Sequence, residues 1–238
     1  MANCKEPQVA TAVLKSFGEF DVETERAAVA TLCMRSPWAT QLLNAIGEGR
    51  VSKSRLQASH ARQIKNLGDE SLDELLAKHW GVIHETTAER AQRIQAVRSM
   101  VERDDITPDF SNGAKLFRTN CASCHVLYGE GGIRGPDLTG SDRKNLAYLL
   151  ENIIDPSASV ADTYRSSVIV TEDGKTLNGV ITEETETTFK LLMVENEVVI
   201  DKSTVEKRRA TTKSLMPDGL LKNLSQEEIV DLFGFLRN

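Results

Sequence analysis

From Thr24 to about Val101, apolar residues recur at helical spacing in short runs separated by polar links. Ala27, Ala28, Ala30, Leu32 and Cys33 form one stripe, stopped by Ser36-Pro37. Trp38, Leu42, Leu43 and Ile46 form a second, closed by Gly47 and Gly49. Leu56, Ala58, Ala61, Ile64 and Leu67 end at Gly68, and Leu72, Leu75, Leu76 and Trp80 end at Gly81. Thr86-Thr87-Ala88-Glu89 reads as the capped start of a further helix through Ile94 and Val97 to Val101. Paired short helices of this kind suggest a HEAT-like array, although no clean repeat period is present. Asp104-Asp105-Ile106-Thr107-Pro108 then reads as a linker.

The pattern changes beyond that linker. A helix carrying Ala114, Leu116 and Phe117 leads into Cys121, and a glycine-rich stretch, Tyr128 to Gly140, cannot be helical and must wrap something closely. Arg143 to Ile154 reads as a helix with Leu146, Leu149, Leu150, Ile153 and Ile154 on one face, stopped by Asp155-Pro156. Tyr164–Thr171, Thr176–Thr182, Thr187–Val194 and Glu197–Ile200 are rich in Val, Ile and Thr, with Asp173-Gly174 and Glu195-Asn196 where hairpin turns belong. Ser225 and Glu228 form a capping box for a last helix bearing Ile229, Val230, Leu232, Phe233, Phe235 and Leu236. The expectation is a mainly α protein: a helical segment over 1–105, then a domain over 106–238 with a small inserted antiparallel β-sheet at about 164–209.

Composition narrows this little. With 238 residues, 40% hydrophobic and 27% charged, the chain suits one large or two modest globular domains. The net charge of −6 gives no reason to expect nucleic acid as a partner. Residues after 105 hold 15 basic against 20 acidic side chains, an acidic module suited to a basic docking partner. No apolar run approaches the length of a membrane span, and none is expected in this chain.

The chemistry concentrates in Cys121-Ala122-Ser123-Cys124-His125. C-x-x-C-H is the attachment signal for c-type haem: two thiols on one turn reach the vinyl groups of a single porphyrin, and the next imidazole projects at the iron. A dithiol redox centre would want a βαβ context, which is missing. A zinc site would need two more soft ligands, whereas Cys4 and Cys33 are isolated and far upstream. Cys33, on an apolar stripe, reads as a small buried hydrophobe. His60, His79 and His84 carry no accompanying ligand pattern and read as surface or capping residues.

Four flanking features fit a porphyrin. Gly113 permits close approach by another helix, and Phe117 would shield one side of the ring. A backbone carbonyl at Gly135-Pro136 can accept the second imidazole N–H and fix the tautomer of His125. A phosphate loop is the competing reading of these glycines, but no G-x-x-x-x-G-K follows. Met216, on the Pro-stiffened stretch Ser214-Leu215-Met216-Pro217-Asp218-Gly219, can deliver a thioether to the vacant face of the iron; otherwise it is a loop hydrophobe.

Gly113…Leu116-Phe117…Cys121-x-x-Cys124-His125, Gly135-Pro136-Asp137-Leu138 and Met216-Pro217 before a capped terminal helix resemble a class I c-type cytochrome. With the strand-rich insert and Ser-Leu-Met-Pro-x-Gly-Leu, the chain is similar to the haem-binding domain at the C-termini of large planctomycete and verrucomicrobial proteins. Lys78-His79-Trp80-Gly81 is similar to the end of the helical segment preceding it there. The resemblance implies one haem c joined through Cys121 and Cys124, His125 as proximal and Met216 as distal ligand, and Pro136 as carbonyl partner of the imidazole. It implies a non-enzymatic electron carrier serving a redox partner protein or a fused dehydrogenase domain. Covalent haem also implies a periplasmic or otherwise exported location, and Met1 to Pro7 lacks signal-peptide character, as expected of a mature form or a piece of something longer. The competing expectation is a haem enzyme or sensor with an open distal site, peroxidase-like or gas-binding, for which Arg134 and Arg165 are the candidate distal groups.

Overall fold

Helix α1 (Gln8–Lys15) comes before the first apolar stripe and was not foreseen; the four stripes between Thr24 and Trp80 fold as α2 (Val22–Leu32), α3 (Ser36–Gly47), α4 (Ala58–Lys65) and α5 (Glu70–His79). These come from a computed structural model, which describes residues 8–238; Cys4 lies outside the described residues. Asp21 caps α2 by accepting the Thr24 N–H at 2.7 Å. Pro37 sits in the first turn of α3, where its missing N–H costs nothing. Helix α3 is the centre of this unit, with Trp38, Ala39, Leu42, Leu43 and Ala45 wholly removed from solvent. Trp80 is buried among them, and its indole N–H donates to the Leu56 carbonyl at 2.6 Å. Cys33 is part of the same core, and burial pushes its thiol pKa up.

Gly81 does not terminate α5 as the sequence suggests. It opens β1 (Gly81–Ile83), which pairs antiparallel with Ser159–Ala161, and a side chain at 81 would meet the Val160 carbonyl oxygen at 2.1 Å. Residues 159–162 therefore belong to this first compact unit, with residues up to Ile83. His60 and His79 are used structurally: His60 Nδ1 accepts the Gln57 N–H in the capping box of α4, and the His79 ring lies flat against Gly47.

The second compact unit comprises His84–Ala158 and Thr163–Asn238, so the chain divides after Ile83 and not at the polar linker near 105. The reason is α6 (Ala88–Val101), which packs on helices of this unit and buries Val97 in their core. The helices are α7 (Phe110–Asn120), α8 (Leu146–Ile154) and α9 (Gln226–Arg237); between α7 and α8, β2 (Val126–Leu127) and β3 (Glu130–Gly131) form a small hairpin. Helices α7 and α9 cross at Gly113, where any Cβ would fall 2.2 Å from the Asp231 carbonyl oxygen. The buried Asp231 carboxylate locks the crossing by accepting the Asp109 N–H and the Asn112 side-chain amide, each at 2.8 Å. Phe117 turns into this crossing, 5.8 Å from the Phe235 ring.

After the short strand β4 (Ser159–Ala161) come β5 (Arg165–Thr171), β6 (Thr176–Glu184), β7 (Thr188–Leu192), β8 (Glu197–Asp201) and β9 (Val205–Ser214). They form one antiparallel sheet in the order β8-β7-β6-β5-β9. Ile169, Phe189, Leu191 and Ile200 form its core, and irregularities in the β5–β9 and β6–β7 registers bend it. Strand β9 was not foreseen. It is an edge strand carrying Lys207, Arg208, Arg209 and Lys213, and charges on an edge discourage pairing with other chains. Among the described residues the protein is mainly helical, with this five-stranded sheet as its largest.

Candidate haem-binding site

The last turn of α7 continues directly into the cysteine motif. The Cys121 and Ala122 N–H groups donate to the Phe117 carbonyl at 2.8 and 2.9 Å. The Cys124 and His125 N–H groups then return to the Cys121 carbonyl at 3.1 and 3.0 Å, so both thiols and the imidazole stand on one tight turn. All three side chains are half-buried, and both thiols are free.

What the glycine-rich loop wraps is this turn itself. The Gly132 N–H donates to the Ala122 carbonyl and the Gly135 N–H to the Cys124 carbonyl, both at 2.8 Å. Gly131 has φ +123° and lies so close to the His125 carbonyl that a Cβ would sit 2.1 Å from its oxygen, so no other residue fits there. Gly135 lies against the imidazole, where a Cβ would be 2.6 Å from Cε1. The Pro136 carbonyl oxygen is 2.9 Å from His125 Nδ1. With Nδ1–H donated there, Nε2 is the nitrogen left with a free lone pair, the arrangement a metal-bound histidine uses.

Burial lowers the His125 pKa, against the opposing Pro136 hydrogen bond, and so favours the neutral ring that a metal ligand needs. Burial and the neighbouring Cys124 push the Cys121 thiol up to about 12. Among the described residues no three His, Cys, Asp or Glu side chains converge as a metal-binding group, which a zinc site at these cysteines would require. The donor set of two thiols and one oriented neutral imidazole fits a porphyrin that brings four nitrogens of its own.

Met216 is held separately, half-buried on the loop between β9 and α9. Its N–H donates to Ser214 Oγ at 3.1 Å, and the Ser214 N–H donates to Ser157 Oγ at 3.3 Å. These serines were not anticipated; a Ser two residues before the methionine is a local signal for such a turn. Of the candidate distal groups, Arg134 donates from Nη2 to the Glu195 carbonyl at 3.3 Å, and Arg165 opens β5 opposite Ser214.

A cytochrome c family model matches residues 110–169. The match spans α7, the cysteine turn, the glycine loop and α8, and it ends within β5, before Met216 and α9. No curated protein matches the chain. The chain thus carries a cytochrome c domain over part of its length, with two cysteines spaced for haem binding and the general electron-transfer role of that class. Among the described residues no helix is long and apolar enough to cross a membrane.

Proposed function

We propose that the second unit carries one covalent haem c and works as a one-electron carrier. Cys121 and Cys124 are the thioether anchors, each thiol adding across a vinyl group with sulfur going to one carbon and the proton to the other. His125 is the proximal ligand, oriented by Pro136, and Met216 the distal one. Bound there, the haem iron would supply one-electron redox chemistry, with a potential raised by His/Met ligation. The observation that carries this reading is the imidazole pinned through Nδ1 to Pro136 with Gly135 flat against its ring, which leaves Nε2 as the free nitrogen.

On this reading no protein group need do bond chemistry on a substrate, because the iron carries the electron, and the chain relays electrons between a dehydrogenase and a later acceptor. The matched family supports the carrier role, and the strand-rich insert with Ser-Leu-Met-Pro supports the narrower planctomycete and verrucomicrobial assignment. An exported compartment follows from covalent haem attachment, and the HEAT-like helices of the first unit serve as scaffold for the partner. Exported material from a host with haem maturation machinery should give a c-type pyridine haemochrome and an intact mass raised by one haem. Colourless protein of unmodified mass would overturn the proposal. Loss of the weak red ferric band in Met216→Ala would support the distal assignment, and avid carbon monoxide binding by the unaltered reduced protein would favour the open-site enzyme or sensor instead.

A further inference from the structure

Three charged groups that the haem reading leaves unused meet beside the Met216 loop. Arg90, in the first turn of α6, reaches the Asp155 carboxylate with Nη1 and Asp218 Oδ1 with Nη2, the latter at 3.2 Å. Asp155 closes α8 and is 4% exposed, whereas Asp218 is exposed and follows Met216 by two residues. A carboxylate buried like Asp155 demands a partner, so it holds the guanidinium in place. The planar fork then fixes where Nη2 points.

The end of α8 also grips the loop from its other side. Ser157 Oγ accepts the Ser214 N–H, and Ser214 Oγ accepts the Met216 N–H. The turn Asp155-Pro156-Ser157 is therefore tied to the chain two residues before Met216 and, through Arg90, two residues after it.

We propose that Arg90 is a positioning residue for Met216, clamping the loop that presents the thioether to the haem iron. The clamp rests on the reading of Met216 as distal ligand. It makes α6, which lies outside the matched residues 110–169, a working part of the haem module. An added ligand reaches the sixth site only when the loop swings away, and each restraint on the loop lowers the population of that open form.

The test uses the haem-loaded full chain with Asp218→Asn, which leaves the Arg90–Asp155 pair intact and does not endanger folding, and with Arg90→Lys, which keeps the charge but cannot fork. Imidazole is titrated into the ferric protein, and amide exchange is followed at Met216. An exposed ion pair of this kind is worth about two- to fivefold in the open population. Asp218→Asn should therefore bind imidazole about two- to fivefold more tightly and exchange the Met216 amide faster by a similar factor, with Arg90→Lys at least as affected. Unchanged imidazole affinity and unchanged amide exchange in both variants would overturn the clamp. Met216→Ala separates the two ideas: loss of its red ferric band with unaltered Asp218→Asn behaviour sinks the clamp alone, whereas a surviving band sinks the distal assignment and the clamp with it.

Discussion

Replacing Gly113 with alanine tests how closely α7 and α9 cross. The new methyl would lie 2.2 Å from the Asp231 carbonyl oxygen and 2.6 Å from Phe235 Cβ. Both obstacles belong to α9, and carbon contacts settle near 3.5 Å, so the helices must part by about 1 Å. Overpacking of this kind costs about 1–3 kcal/mol. Parting also strains the bonds from the Asp109 N–H and the Asn112 amide to the buried Asp231 carboxylate, at about 1–3 kcal/mol more. Alanine's better helix propensity returns only about 1 kcal/mol. The expected net loss is about 1–5 kcal/mol, read by urea unfolding of the haem-loaded protein followed by far-UV circular dichroism. Gly18→Ala is the control, because nothing lies within 4 Å of its Cβ position and its stability should stay within about 0.5 kcal/mol of the parent. Gly113→Ala protein as stable as the parent, or more so, would show that propensity decides and that the crossing is not close.

Gly135→Ala should push the imidazole off its seat, since the added carbon would meet the ring at 2.6 Å; its haem-loaded fraction or its low-spin spectrum should fall, and an unchanged spectrum would count against the seat. Glu184 accepts from Arg208 and pairs with Lys202, which lowers its pKa from 4.5 to about 2. The unfolded chain therefore binds the proton first as the pH falls, and the stability from this pair, complete above about pH 4.5, drains away toward about pH 2. Glu184→Gln should remove that part of the acid dependence from the sheet's unfolding, and an identical pH profile in the variant would refute it. Gly81→Ala should disrupt the pairing of β1 with β4, and faster exchange of the Asp162 amide, which donates to the Trp80 carbonyl at 2.9 Å, is the measurement that shows it. Undiminished protection at Asp162 would mean that the strands do not meet there.

The cysteine turn was legible because its chemistry is local: three reactive side chains on one turn need only their spacing to be recognised. Most of the helices from α2 onward were legible for a related reason, since they bury a stripe, as α8 does with Leu146, Leu149 and Leu150. The Asp173-Gly174 hairpin was plain too, its glycine at φ +81°. What the sequence could not reveal depends on partners far along the chain. Strand β9 forms through backbone pairing with β5 at the sheet edge, and its mostly exposed, charged side chains carry no alternation to betray it. Gly81 resembles a helix stop until a strand some eighty residues later is laid against it. The polar stretch near 105 resembles a domain boundary, yet Val97 on α6 buries itself in the core that follows. The spacing of Cys121, Cys124 and His125 fixed the kind of chemistry available, because covalent reach along a single turn is a property of sequence. The Pro136 carbonyl could be named as the partner of His125 from the sequence because it lies only eleven residues further on, whereas only the folded chain brought Arg90 within 3.2 Å of Asp218, because ion pairs between distant residues exist only once packing has brought those residues together.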